Sequence, residues 1–103
     1  MRDTTYTLQD LTRIVTPLAK EYGIEHVYLF GSYARNSQTA SSDIDFRIDA
    51  TGITTLFELG GFYSDLQDHI DVPIDVLTTE ALSEDFLERI HDEEVLLYTA
   101  SDS

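Results

Sequence analysis

The chain has 103 residues, of which 42% are hydrophobic, and its six Tyr and five Phe suit a folded core. This size and composition predict a single folded domain over residues 1–103 rather than a disordered chain. Cysteine is absent, which excludes disulfide bonds and thiolate metal sites. No signal-peptide pattern opens the chain and no apolar run approaches the ~20 residues of a membrane span. We therefore expect a cytoplasmic protein that does not contact a membrane.

The formal net charge of −14 excludes a further class of partners. Twenty Asp and Glu stand against only six Lys and Arg, whereas binding to a nucleic-acid backbone requires cationic side chains. We therefore expect no direct contact with nucleic acid. The acid excess favours a cationic partner, divalent metal ions or an environment of high salt. A plainly solvated surface is the remaining interpretation.

The first predicted element is a helix. Apolar side chains at helical spacing predict it from Leu8 to Tyr22, with Thr7 as its N-terminal cap and Gly23 as its end. Pro17 lies inside this pattern and lacks the backbone N–H that a helix needs. We therefore expect a kink or a break at Pro17.

Two strands are predicted next. The apolar run His26–Phe30 is typical of a strand and ends at a glycine. After a polar, turn-rich segment, residues 42–49 alternate between apolar and charged side chains, as a strand with one buried face does. Ile44, Phe46 and Ile48 make up the apolar face of this second strand, and Asp43, Asp45, Arg47 and Asp49 make up the other.

The second half of the chain repeats the alternation of helix and strand. Thr54 or Thr55 is expected to cap a second long helix, in which Gly60 and Gly61 weaken the helix and let it lie close to a sheet. Then come a strand at residues 72–77, a short helix capped by Ser83, and a strand at residues 95–98. The order predicts an α/β domain with a small mixed β-sheet flanked by helices.

A Gly-Ser pair follows the first predicted strand directly. Gly31 lets the backbone turn sharply, and the N–H groups at the start of a short helical turn toward Arg35 form a site for an anion. The hydroxyl of Ser32 and the guanidinium of Arg35 can add contacts to a phosphate. An ordinary turn has the same composition, so this pair alone leaves both interpretations open.

Three aspartates occupy the second and third predicted strands. Asp43 and Asp45 share one strand face about 7 Å apart, where unpaired carboxylates repel each other. Asp75 lies inside an apolar strand and is expected to turn partly inward, where a carboxylate is costly unless it is paired or bound to metal. The alternatives are a solvated strand face for the first two and an edge-strand aspartate in water for the third.

Taken together, the turn and the three acids fit phosphoryl transfer with two metal ions. Mg²⁺ binds carboxylate oxygens together with substrate phosphates. Two metals about 4 Å apart stabilise the attacking and the leaving oxygen of an in-line displacement. We therefore expect that metal supplies the positive charge missing between the acids.

The stretch LFGSYARNSQTASSDIDFRID, residues 29–49, resembles the G-S-x-A-R-G…S-D-x-D signature of nucleotidyltransferases with a DNA-polymerase-β-like fold. It is most similar to the minimal members, the MNT domains, and the ending PIDVLTTEALSEDFLERIHDEEVLLY extends the likeness over residues 8–98. The resemblance implies a polymerase-β-like core in which Gly31 and Ser32 hold the phosphates of a nucleotide, with Arg35 as a further contact.

The same resemblance implies an enzyme with ATP as its substrate and two Mg²⁺ ions as cofactors. Asp43 and Asp45 would bind both metals, and Asp75 would be the third ligand and help to deprotonate the attacking hydroxyl. AMP would be transferred from ATP by attack at the α-phosphate, with release of pyrophosphate. Small members of this kind are typically antitoxins that silence a partner HEPN-type RNase toxin by adding AMP to a tyrosine.

Two residues depart from the signature. Asn36 replaces the glycine that usually follows the Ala-Arg pair, and because Asn tolerates a positive φ better than most residues, we expect the turn to survive this change. Tyr33 stands where many relatives carry a basic residue, which predicts the loss of one phosphate contact. Arg47 is expected either to pair with Asp49 or to reach a phosphate, and we favour the salt bridge.

Other functions stay open beside the transferase. The same fold can neutralise a toxin by binding alone with a weak or inactive site, which the two departures motivate. Transfer to an antibiotic is disfavoured, because the resembling enzymes of that kind carry an additional substrate-binding domain. The acidic run at residues 92–94 is interpreted as a solvated helix end, and His26, His69 and His91 as surface or strand-end residues without a ligand role.

Overall fold

The computed structural model describes residues 6–39, 42–50, 52, 53 and 55–100. Within these ranges the chain forms three α-helices and four β-strands, and the predicted α/β architecture is confirmed. None of the helices described is long and apolar enough to cross a bilayer. The elements are α1 (Leu8–Tyr22), β1 (His26–Phe30), β2 (Ile44–Asp49), α2 (Leu56–Asp68), β3 (Ile74–Thr78), α3 (Glu84–His91) and β4 (Val95–Thr99), with a 3₁₀ turn at Thr79–Ala81.

The four strands form one mixed sheet in the order β3-β2-β1-β4. Strand β1 is antiparallel to both of its neighbours, and β2 is parallel to β3. The end of β1 and the starts of β2 and β3 therefore meet at the same edge of the sheet. Segments that are far apart in sequence, residues 31–36, 43–45 and 75, are brought together there.

The core lies on one face of the sheet. Along β2 the side chains alternate between buried and partly exposed, as the sequence predicts. The inward residues of β1 and β2 pack against apolar side chains of α1 and α2, and the charged residues of β2 lie on the opposite face. The best-buried core residues are Leu11, Val15, Ala19, Ile24, Val27, Leu29, Ile44, Phe46, Ile48, Phe62 and Leu66.

Helix α1 has the predicted ends. Thr7 and Asp10 form a reciprocal capping box, and Gly23 ends the helix in the left-handed conformation with φ of 69°. The helix continues through Pro17, so of the two predicted alternatives, a kink or a break, the break is wrong. An internal proline costs about 3 kcal/mol, and the buried face formed by Leu11, Val15, Leu18 and Ala19 offsets this cost.

Helix α2 is capped by Thr55, whose side chain accepts a hydrogen bond from the N–H of Glu58, and Thr54 lies outside the described residues. Gly61 lies against the ring and hydroxyl of Tyr22, so its close neighbour is helix α1 rather than the sheet. The Tyr22 hydroxyl also donates to Asp65 at 2.7 Å. This hydrogen bond raises the pKa of Tyr22 to about 12.

Candidate active site

The first part of the site is the junction of β1 with the following turn. Phe30, the last residue of β1, lies opposite Asp45 of β2. Gly31 then adopts a φ of 80°, which favours glycine, and a Cβ atom at this position would overlap with Oδ2 of Asp45. The backbone at Gly31 therefore approaches the Asp45 carboxylate as closely as only glycine allows.

The turn after Gly31 has the predicted helical shape. The Arg35 N–H donates to the Gly31 carbonyl at 3.1 Å, and the Ser37 N–H donates to the Ser32 carbonyl at 2.9 Å. Asn36 has a φ of 59°. This residue thus takes the left-handed conformation that a glycine usually provides, and the prediction that the turn survives the substitution is confirmed.

Tyr33 is turned away from the open side of the turn. Its side chain is only 4% exposed and belongs to the hydrophobic core. Its hydroxyl is buried and has no hydrogen-bond partner among the described residues. Tyr33 therefore contributes to the packing of the core, and its side chain is not available to a ligand at the open side of the turn.

The acids form the second part of the site. Asp45 and Asp75 are direct neighbours in the parallel register of β2 and β3, where adjacent strands lie about 4.8 Å apart. Asp43 lies just before β2. Both Asp43 and Asp75 are exposed to solvent. The expectation that Asp75 turns partly inward is wrong, because β3 is an edge strand whose outward face is open to solvent at this point.

Asp45 is the electrostatic centre of this group. Its partial burial raises its pKa from 3.8 to about 6, and the charges of Asp75 and Asp43 and a hydrogen bond with Asp75 contribute to the rise. Arg35 acts in the opposite direction and lowers the pKa of the same carboxyl group. Three acids and one arginine of the predicted site thus influence each other, which places both motifs in a single electrostatic environment.

The donor chemistry of this edge fits Mg²⁺. The described residues contain no group of three His, Cys, Asp or Glu side chains arranged closely enough to hold a metal ion by themselves. Mg²⁺, however, is usually bound by one or two carboxylates together with waters and substrate phosphates, not by a complete cage of protein ligands. Asp45 and Asp75 supply hard oxygen donors whose mutual repulsion a divalent cation would relieve.

Glu93 is part of the site, although sequence analysis predicts no role for it. Its Oε2 accepts a hydrogen bond from the Gly31 N–H at 3.1 Å, and its Oε1 accepts one from Nη1 of Arg35 at 3.0 Å. The interpretation of residues 92–94 as a solvated helix end is therefore wrong for this glutamate. Its carboxylate binds two of the three residues predicted to hold the nucleotide.

The next residue, Glu94, has a different partner. It forms a two-pronged ion pair with Arg47, at 2.5 Å to Nε and 2.9 Å to Nη2, and both side chains are nearly buried. This pairing raises the pKa of Arg47. The predicted salt bridge of Arg47 with Asp49 is also formed, at a longer distance of 3.6 Å between Nη1 and Oδ1. Arg47 also lies over the Tyr28 ring, so it stays within the protein and is not free to bind a phosphate.

The two glutamates were missed because their partners are distant in sequence. Gly31 and Arg47 come into reach only because β4 pairs with β1 and brings the end of α3 beside the site. The sequence holds one weak signal: an arginine on a largely buried strand needs a counter-charge. Two acids close to Arg47 in the sequence, Asp45 and Asp49, already look like sufficient partners, so the sequence does not point to Glu94.

Comparison with known proteins extends these observations. Residues 13–103 match the polymerase beta nucleotidyltransferase family. A protein of Methanocaldococcus jannaschii that is provisionally named a protein adenylyltransferase is 31% identical over 97 residues, which cover 87% of this chain and 96% of that protein.

Solved structures show the same fold. A toxin–antitoxin complex with AMP-PNP aligns with a TM-score of 0.73 at 20% identity, over 87% of this chain and 74% of that one. A tri-AMPylated Shewanella oneidensis HEPN toxin in complex with its MNT antitoxin aligns with a TM-score of 0.68 at 18% identity, over 91% and 74%. The match over residues 13–103 settles the assignment: this chain belongs to the polymerase beta nucleotidyltransferase family.

Proposed function

We propose that this protein is a Mg²⁺-dependent protein adenylyltransferase of the MNT type, an antitoxin that transfers AMP from ATP to a tyrosine of a partner HEPN-type RNase toxin. The observation that supports it most directly is the meeting of the Gly31–Ser32 turn with Asp45 and Asp75 at one sheet edge. Nucleotidyl transfer requires a phosphate-binding turn and metal-binding acids in this proximity.

Each residue of this edge has a role in the proposed reaction. Mg²⁺ ions held by Asp43, Asp45 and Asp75 would supply stabilisation of the charge on the transferred phosphoryl group. Ser32 contacts the phosphates. Asp75, on the open edge strand, accepts the proton of the tyrosine hydroxyl as its oxygen bonds to the α-phosphorus. The bond from the α-phosphorus to the bridging oxygen breaks, and pyrophosphate leaves.

The choice of a protein acceptor follows from the exposure of the site. Asp43 and Asp75 are exposed, and β3 is an edge strand, so a side chain on a folded partner can approach the acids. The net charge of −14 complements a cationic surface such as that of an RNA-binding enzyme. The likeness to antitoxin chains in complexes with toxins supports a HEPN-type partner.

The test is coexpression with the product of the adjacent gene, which the proposal expects to be a HEPN-type protein, followed by intact-mass measurement of that partner. We expect AMP-sized increments with the natural chain and none with the Asp43→Asn/Asp45→Asn variant. The Asp68→Asn/Asp92→Asn variant removes the same charge from two exposed residues outside the site and is expected to leave the increments in place. Increments that persist in the first variant would refute the assignment of the acids.

Neutralisation by binding alone is the second candidate. The observation that favours it is Glu93, whose carboxylate already occupies the Gly31 N–H and Arg35. In that case the partner is recovered in a stable complex without any increment, and the Asp43→Asn/Asp45→Asn variant neutralises the toxin as well as the natural chain does. The same coexpression experiment therefore separates the two candidates.

A further inference from the structure

The carboxylate of Glu93 holds both ends of the turn that follows β1. It accepts a hydrogen bond from the N–H of Gly31, the first residue of the turn, and another from the guanidinium of Arg35, the last. The turn itself is closed by the bond from the Arg35 N–H to the Gly31 carbonyl. One side chain from the segment before β4 therefore fixes the position and the orientation of the whole turn.

We propose that Glu93 is a positioning residue for nucleotide binding: it fixes the Gly31–Arg35 turn so that Ser32 presents its N–H and hydroxyl to the phosphates. This inference rests on the proposed function and changes the roles within it. Gly31 and Arg35, predicted to contact the nucleotide directly, act mainly by holding the turn to Glu93. Ser32 is then the principal phosphate contact of the turn.

The hydrogen bonds of the turn support this division of roles. The N–H groups of Gly31, Arg35 and Ser37 donate to Glu93, Gly31 and Ser32 respectively. Among the residues that the structure describes, the N–H groups of Ser32, Tyr33 and Ala34 donate to no acceptor, and of these three residues only Ser32 carries a hydroxyl beside its N–H. An unpaired N–H beside a free hydroxyl is what an incoming phosphate oxygen requires.

Glu93 is held too firmly to be a temporary substitute for phosphate. The N–H groups of Glu93 and Glu94 both donate to the Ile90 carbonyl at 3.0 Å, which fixes the backbone at the end of α3. The Glu94 side chain is only 6% exposed and paired with Arg47. The two neighbouring glutamates thus attach the same segment to two different strands, Glu93 through the turn after β1 and Glu94 through β2.

The charge distribution argues in the same direction. If the triphosphate displaced Glu93, the freed carboxylate would lose its charge-assisted contact to Arg35 and lie beside the negatively charged nucleotide. If Glu93 stays in place, its carboxylate accepts hydrogen bonds from two donors and neutralises the charge of the Arg35 guanidinium. A fixed Glu93 is therefore compatible with bound nucleotide, and a displaced one is not.

The first test is binding of MgATP by calorimetry to the full chain and to Glu93→Ala, with Glu88→Ala as the control. Glu88 is an exposed glutamate of α3, the helix just before Glu93, so the control removes the same charge a short distance along the chain. We expect Glu93→Ala to bind about 10- to 100-fold more weakly, by analogy with the loss of an outer-shell hydrogen bond at a metal site. Glu93→Gln, which keeps an acceptor for the Gly31 N–H, is expected to recover part of the affinity.

Two results would overturn the inference. Tighter binding by Glu93→Ala than by the natural chain would show that the carboxylate competes with phosphate. Equal binding by Glu93→Ala and Glu88→Ala would show that the turn needs no such support. If the natural chain itself binds no MgATP, it is the proposed function that fails.

Amide hydrogen exchange by NMR tests the contact whether or not nucleotide binds. The Gly31 N–H is expected to exchange slowly in the natural chain and in Glu88→Ala, and faster in Glu93→Ala and, more moderately, in Glu93→Gln. On addition of AMP-PNP and Mg²⁺, we expect the Gly31 protection to persist while the Ser32 amide resonance shifts. Loss of the Gly31 protection on adding nucleotide would mean that Glu93 leaves, contrary to the inference.

Discussion

Asp45 is the residue at which the proposed metal binding and the stability of the fold oppose each other. Its pKa is raised to about 6 by partial burial and by Asp75 and Asp43, whereas the unfolded chain holds this carboxyl near 3.8. Between these two values the folded state binds the proton more tightly than the unfolded state does. The stability that protonation contributes is complete below about pH 4 and is lost as the pH rises through about 6.

Asp45→Asn is therefore expected to stabilise the protein in EDTA at pH 8, where the natural carboxylate is charged, and to have little effect at pH 4, where it is protonated. Because the site is partly exposed to solvent, we expect a gain of only about 1 kcal/mol at pH 8. Thermal unfolding followed by circular dichroism at both pH values measures it. Asp68→Asn, outside the site, is the control, and a loss of stability specific to Asp45→Asn at pH 8 would contradict the argument.

The two adjacent glycines of α2 differ in what surrounds them. A Cβ atom at Gly60 would meet nothing within 4 Å, whereas one at Gly61 would lie 2.9 Å from the Tyr22 hydroxyl. Tyr22 is held in place by its hydrogen bond to Asp65 and by an edge-on contact with the Phe62 ring. The tyrosine can move away from a side chain at Gly61 only by losing these contacts.

Gly60→Ala is thus expected to stabilise the protein by about 1 kcal/mol, the difference in helix propensity between the two residues. Gly61→Ala gains the same propensity but strains the contact between α1 and α2, so its net effect is expected to be clearly smaller or destabilising. Urea unfolding of the two variants measures the difference directly. Equal effects would show that α1 and α2 adapt to the added methyl group without cost.

The helices and strands themselves were largely predictable from sequence, but which of them lie next to each other in the fold was not. Helical spacing and caps located α1, and alternation located β2, because both depend on local contacts. The exposure of Asp75 depends on β3 being at the edge of the sheet, and strand order depends on long-range pairing. The break predicted at Pro17 does not occur, because burial of the α1 face outweighs the local penalty of the proline.

The candidate site shows the same division. The Gly-Ser turn and the acids lie in one short stretch and one later strand, so their motif is visible in the sequence and the structure brings them together. The contact of Glu93 with Gly31 spans 62 positions and depends on the pairing of β4 with β1. No local pattern around residue 93 distinguishes it from a solvated helix end.

At the scale of the whole molecule, the charge is the dominant property. A net charge of −14 on a chain of 103 residues repels itself in the folded state, and this repulsion is screened over about 10 Å at 0.1 M salt and about 3 Å at 1 M. Nearly buried ion pairs such as Arg47–Glu94 are screened much less. Salt should therefore remove more repulsion than attraction.

We accordingly expect the unfolding temperature of the natural chain to rise when the NaCl concentration is raised from 10 mM to 1 M in the presence of EDTA.

The Asp68→Asn/Asp92→Asn variant changes the net charge from −14 to −12 at two exposed positions. It is expected to be more stable than the natural chain at low salt, and the difference should shrink at 1 M, because screening already removes the repulsion that the substitutions relieve. Thermal unfolding across the salt series measures both effects. A difference that stays constant with salt would assign the gain to local contacts of Asp68 and Asp92, and an unfolding temperature that falls with salt would mean that surface ion pairs outweigh the net repulsion.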